Sequence, residues 1–248
     1  MATIDIGRVT RIERREAPGL AAEEYRRMAA VAEQLSPDEW AMATECPGWT
    51  VRDVMAHVAG SMAGTSLREG ARQRKLAGQW VEAGGGAFLD EMNQLHIEER
   101  AGLSEPDLAR ELRDRIEPAV RARRRVPGLL RRAPIPTSGD RLTLGELLDV
   151  ILTRDVWMHR VDVCRATGRT PHLTPEHDGR LVADVVREWV DRHGQPFTLR
   201  LTGPAGGTIT SGSAGPERPE LDLDAVDFCR TLSGRAPGEG LLATGVVF

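Results

Sequence analysis

Asp155 and His159 lie four residues apart in "RDVWMHRVD", and on a helix that spacing sends a carboxylate and an imidazole out of one face a turn apart. Two such side chains can converge on a single divalent cation. His57, in "TECPGWTVRDVMAHVAG", could add a second nitrogen from a facing helix, because helical bundles build metal centres from inward side chains of neighbouring helices. Two nitrogens and one oxygen leave the ion at least one open position, the pattern of a catalytic zinc rather than a closed structural one. Asp162, three residues past His159, shares nearly the same face and could orient that ligand or handle a proton. The spacing leaves another reading open, since a histidine on a helix face is often a hydrogen-bonded core residue and Asp-x-x-x-His pairs also arise by chance.

These residues need helices to carry them, and the apolar pattern supplies candidates. From Leu20 to Leu35, apolar residues including Tyr25, Met28, Ala29 and Ala32 recur at three- and four-residue steps, so one helix face is buried. Thr50 with Asp53 has the spacing of a reciprocal N-terminal cap, and Val51, Val54, Met55 and Val58 continue a second helix with His57 two turns in. The glycine-rich break "EAGGGAFLD" precedes a helix from Leu89 to about Arg100, and Ser104 opens another to about Arg124. After the loop "VPGLLRRAPIPTSGD", Thr143 with Glu146 repeats the capping spacing, and an apolar stripe through Val156 and Val163 runs until Gly168 ends the helix.

Past Gly168 the character changes. Thr174 and Pro175 open one more helix through Trp189, followed by short alternating runs, "PFTLRLTG", "GTITSG" and "LDLD". "AVDFCRTLSGR" reads as a helix and "LLATGVVF" as a closing strand. The expected architecture is therefore mainly α. An up-down-up-down four-helix bundle with a long connection before its last helix occupies residues 18–170, and a small α+β domain occupies 171–248.

Composition narrows the partners. The 248 residues carry 33 basic and 37 acidic side chains, a formal net charge of −4 that argues against nucleic acid and for a small molecule. Cys46, Cys164 and Cys229 have no zinc-type spacing and fit reduced thiols in a cytoplasm; Cys46, before Pro47, reads as structural. No apolar run approaches the roughly 18 residues of a membrane span, and the N-terminal residues lack an apolar signal core, so a soluble cytoplasmic monomer or homodimer is expected.

"CPGWTVRDVMAHV", followed about a hundred residues later by "RDVWMHRVDVCRATG", resembles the two signature segments of the mycothiol-dependent maleylpyruvate isomerase family. "FLDEMNQLHIEERAGLSEPDLARELRD" and "LDLDAVDFCRTLSGRAP" are similar to further segments of that family. The resemblance implies a DinB-like four-helix bundle with a C-terminal domain related to sterol-carrier folds. It also implies a metal, usually zinc, held by His57, Asp155 and His159, and mycothiol as the thiol cosubstrate. Position 155 is aspartate where the family pattern usually has glutamate; the shorter arm is expected to need a small helix shift or a bridging water, with weak metal occupancy as a consequence. The implied reaction is thiolate addition to a small electrophile, giving isomerisation of maleylpyruvate or, as in related thiol S-transferases, transfer of the sulfur. A non-catalytic small-ligand binding protein on the same scaffold is the alternative, and Asp155 is the feature that favours it.

Other residues carry weaker signals. Trp49 and Trp157 flank the ligand candidates and could wall a pocket, though a core role fits both. His96 could face the pocket, with a solvated or core histidine the heavier alternative. His172, His177 and His193 sit near expected helix ends and read as surface residues. "RARRRVPGLLRR" reads as a solvated helix end rather than a nucleic-acid patch, because no aromatics interleave its charges. Arg235, in "LSGR", corresponds to a family arginine suited to a substrate carboxylate, with a salt bridge as the plain alternative.

Overall fold

Reciprocal caps start the helices that matter most. The Asp53 carboxylate accepts from the Thr50 backbone N–H at 2.9 Å while the Thr50 hydroxyl oxygen accepts from the Asp53 N–H at 3.3 Å, so two N–H groups that the first turn leaves unpaired are satisfied. Thr143 and Glu146 repeat the arrangement, at 2.8 and 3.2 Å. The computed structural model describes residues 3–135, 142–212 and 218–248 and divides the chain into two compact units. Part of the expected loop before Thr143, residues 136–141, lies outside the described residues.

The unit Arg14–Pro171 contains α1 (Ala17–Gln34), α2 (Val51–Gly64), α3 (Leu67–Glu82), α4 (Phe88–Glu98), α5 (Glu105–Arg125) and α6 (Leu152–Ala166). α1 and α2 each pack against α5 and α6, which makes the bundle, while α3 and α4 pair with each other and lie against α2. Tyr25, Met28, Val54, Met55, Val58, Leu108, Leu112 and Val156 fill its core. Each such side chain contributes roughly 1.5–3 kcal/mol on burial.

α3 was not anticipated. Of its residues only Gln73 and Ala77 are buried, so its apolar stripe is too thin to read; the usable signal was Ser66, which caps the Glu69 N–H at 3.3 Å. The helical run leading into α6 also has a feature that periodicity does not reveal. One α-helical turn, Leu144–Glu146, widens into a π-helical turn over Leu147–Ile151 before α6 begins. A widened turn re-aims every side chain after it, Asp155 and His159 included. Gly168 closes the helix at φ 67°, where Arg169 N–H reaches back to the Cys164 carbonyl at 2.8 Å.

The "RARRRVPGLLRR" segment is not wholly solvated. Arg123 and Arg131 are buried: Arg123 donates to the Thr153 hydroxyl at 2.8 Å and to the Tyr25 hydroxyl, and Arg131 donates to Asp149 and, at 3.1 Å, to the Arg123 carbonyl.

The second unit joins Met1–Glu13 to His172–Phe248. Its four-stranded sheet has the order β1-β3-β2-β4, where β1 is Thr3–Asp5, β2 Phe197–Thr202, β3 Gly207–Ser211 and β4 Glu220–Asp224. β2 and β3 form an antiparallel hairpin in which Leu199 pairs with Ile209; β1 runs parallel to β3 and β4 parallel to β2. The N-terminal strand carries three residues, too few for an alternation to register. The other elements are α7 (Asp178–His193) and α8 (Ala225–Leu232). Trp189 of α7 packs edge-on against Phe197 and Phe228, with centroids at 5.0 and 5.4 Å.

Three expectations change in this unit. α7 starts at Asp178 rather than Thr174, because the Asp178 carboxylate turns back to accept from the Thr174 N–H at 2.6 Å. "LLATGVVF" forms no strand: a 3-10 turn over Gly240–Ala243 presents the Leu241 carbonyl to the Trp189 indole N–H at 2.9 Å, and Val246 N–H bonds the Leu232 carbonyl. His177 is buried rather than on the surface. Among the described residues, no helix is long and apolar enough to cross a membrane.

Candidate metal centre

α2 and α6 face each other across the bundle, and between them His57, Asp155 and His159 converge. One Asp155 oxygen lies 3.3 Å from His57 Nε2 and the other 3.3 Å from His159 Nε2, and the two rings meet edge to face with centroids 5.1 Å apart. Around an ion with tetrahedral bonds of about 2.0–2.1 Å, neighbouring ligand atoms stand roughly 3.3–3.4 Å apart. The three side chains form a group that could hold one small divalent cation. Both histidines are buried, at 6% and 5% exposure. Although aspartate is shorter than glutamate, its carboxylate faces both rings directly.

The electrostatics match the convergence. Burial pushes the Asp155 carboxyl up, yet His159 foremost and then His57 outweigh it and hold the group well below the usual carboxylate range. Burial likewise pushes His159 down, and Asp155, with help from Asp162 and Cys46, holds it well above an ordinary imidazole. Each group thus favours the charged form of the other, and a cation bound here would compete with the His159 proton.

Behind His159 stands a second set of contacts. Asp162 is fully buried, and its Oδ2 lies 3.1 Å from His159 Nδ1, so it fixes the ring with Nε2 directed at Asp155. Cys46, read from the sequence as structural, donates its S–H to the same Asp162 oxygen at 3.3 Å and lies 3.7 Å from His159 Nδ1. The Cys-Pro-Gly-Trp turn presents it. Trp49 N–H bonds the Cys46 carbonyl at 3.0 Å around Gly48, whose φ of 80° is the left-handed conformation that the third position of this turn requires. The same turn brings the Trp49 ring over the site, stacked on His159 at 5.9 Å and tilted against His57 at 5.2 Å.

His96, on α4, is a buried neighbour of the site rather than a solvated residue. Its Nδ1 lies 3.4 Å from His57 Nδ1, and burial, reinforced by His57 and Arg100, pushes its pKa down to about 3. Nothing in the sequence linked it to His57. The nearest signal was Gly60, one turn after His57 on the same face, where a Cβ would lie 2.4 Å from the His96 ring.

Trp157 is buried on α6, two residues from both Asp155 and His159, a spacing that turns it away from their face. Arg235 follows α8 in the other unit, half-buried, with its backbone N–H on the Arg230 carbonyl at 2.9 Å. A separate cleft of about 710 Å³ lies where α2 ends beside α3, α4 and α5, and none of the convergent residues lines it. Its charges pair internally, Arg72 with Glu69 and Glu99, and Arg100 and Arg115 with Glu111.

Residues 21–164 match the model of the mycothiol maleylpyruvate isomerase N-terminal domain. Two solved structures are similar over 92% of this chain and 92% of theirs, each with a TM-score of 0.56 and 17% identity: the crystal structure of the mycothiol-dependent maleylpyruvate isomerase and that of a histidine-to-alanine mutant of it. At that identity the likeness is one of fold. No curated protein matches the chain.

Proposed function

Because the chain belongs to the mycothiol maleylpyruvate isomerase N-terminal domain family, we propose that it is a metal-dependent enzyme that uses a low-molecular-weight thiol, mycothiol, against a small electrophilic substrate. The observation that carries this reading is the Asp155 carboxylate set 3.3 Å from the Nε2 atoms of both His57 and His159. A zinc held by these three keeps a position open and, when bound, makes a coordinated thiol acidic enough to be a thiolate at neutral pH.

The chain's own residues do the rest. Asp155, half-buried and held well below the usual carboxylate range by His159 and His57, supplies the charge that attracts the cation. Asp162, buried and hydrogen-bonded to His159, acts as a positioning residue rather than as a proton shuttle to substrate. Trp49 lays an apolar ring over both imidazoles and keeps water from that side. For a cis-unsaturated substrate such as maleylpyruvate, the sulfur adds to one alkene carbon and a C–S bond forms. Rotation about the resulting single bond and loss of the sulfur then leave the trans isomer and return the thiol. With a substrate that carries a leaving group, or that keeps the added sulfur, the same attack ends as S-transfer.

The test measures zinc content and mycothiol-dependent turnover of maleylpyruvate and a small panel of electrophiles, for wild type and Asp155→Glu. About one zinc per chain and turnover that stops when thiol is withheld are expected, with Asp155→Glu keeping or raising metal affinity because a longer arm still reaches both rings. A wild type that holds no zinc after growth in zinc-supplied medium, and turns over nothing with thiol present, would replace this reading with non-catalytic binding of a small ligand.

A further inference from the structure

We propose that His96 is the positioning residue for His57: its Nδ1 accepts the His57 Nδ1–H and so keeps His57 Nε2 bare for the metal. The inference rests on the metal reading above. A neutral imidazole has one N–H and one bare nitrogen, and which nitrogen can bind a cation is decided by what the other one bonds. For His159 the partner is Asp162, 3.1 Å from Nδ1. For His57 the group at Nδ1 is His96, 3.4 Å away, with ring centroids 5.3 Å apart.

The surroundings hold His96 in place for this task. Gly60 lies three residues after His57 on the same face of α2, and any side chain there would occupy the space of the His96 ring. Arg100 donates to the His96 carbonyl at 3.0 Å and pairs with Glu111 of α5 at 2.9 Å. Arg52 of α2 clamps the end of α4 by donating to the Arg100 and Leu103 carbonyls at 3.0 and 2.6 Å. The ring is 4% exposed and packed among these groups.

A single proton shared between the two facing Nδ1 atoms allows two arrangements. If His96 donated from Nδ1, the His57 proton would sit on Nε2, facing Asp155 and closed to a cation. If His96 accepts at Nδ1, its own proton sits on Nε2, which is buried without a hydrogen-bond partner among the described residues. Only the second arrangement leaves all three ligand atoms open. The unpaired N–H is the cost of providing an acceptor there, and an apolar residue would have avoided it.

The test compares His96→Asn, whose side-chain oxygen falls where Nδ1 stands, with His96→Leu, which has similar bulk and no acceptor. Zinc dissociation constants are measured by competition with a chromophoric chelator, and circular dichroism checks the helices. The leucine variant should bind zinc roughly 10- to 100-fold more weakly than wild type and the asparagine variant within about threefold of it. A leucine variant that binds like wild type overturns the proposal and leaves the metal site standing. An asparagine variant as weak as the leucine one overturns it too, since the ring would then only fill space. The asparagine variant decides alone if the leucine variant does not fold. A wild type that takes up no zinc brings down the metal reading and this inference together.

Discussion

His159→Ala should lose zinc affinity by roughly 10²- to 10³-fold and lose thiol-dependent turnover with it. Structural zinc centres of four ligands bind with about 10–16 kcal/mol at neutral pH, so one ligand accounts for roughly 2.5–4 kcal/mol, a factor in that range. The effect should exceed that of changing an orienting neighbour, because in the proposed site His159 is both a ligand and the anchor for its surroundings: its Nε2 faces Asp155 and its Nδ1 faces Asp162 and Cys46. The variant would leave one imidazole and one carboxylate, too few to hold a catalytic zinc firmly. Chelator competition gives the affinity, and turnover at saturating zinc separates lost binding from lost chemistry. Turnover that survives in a metal-free His159→Ala protein contradicts a metal-activated thiolate.

The largest loss of stability is expected one residue further on. Arg160 of α6 and Glu24 of α1 form a two-pronged ion pair at 2.6 and 3.2 Å, with both side chains at or below 1% exposure. Such a pair adds little over an apolar one, but removing one member of a buried pair costs about 3–5 kcal/mol. Glu24→Ala and Arg160→Ala should each lower Tm by roughly 6–20 °C, at about 2–4 °C per kcal/mol for a chain of this size. The double variant should lose much less than the sum of the two. Additive losses, measured by calorimetry, would show that the two charges do not depend on each other. The pair ties α6 to α1 at the residue after His159, on a side chain that is not itself a candidate ligand.

Much of this site could be read from residue spacing, for physical reasons. Caps are local, and Thr50 with Asp53 and Thr143 with Glu146 form as their spacing implied. A four-residue interval fixes two side chains on one helix face, which is why Asp155 and His159 meet. Contacts between segments distant along the chain leave no comparable trace. Cys46 meets Asp162 across 116 positions and His96 meets His57 across 39, and neither pairing has a periodicity to announce it. The π-helical turn before α6 breaks the 3.6-residue period without a glycine or proline to mark it. α3 exposes most of its surface, so the stripe that reveals a helix was faint. The closing apolar run was misread as a strand because its hydrophobic residues cover α7 and α8 from a turn rather than from a sheet.

Zinc-edge X-ray absorption on the wild-type protein, loaded with one equivalent of zinc and free of added thiol, tests the central claim most directly. Nitrogen and oxygen scatterers at about 2.0–2.1 Å are expected, two of them imidazoles, and no sulfur. Cys46, His159 and Asp162 form a neighbouring group that could also hold an ion, and it would reveal itself by a sulfur at about 2.3 Å. A sulfur shell in the thiol-free protein, or a spectrum with no imidazole contribution, contradicts a metal held between His57, Asp155 and His159.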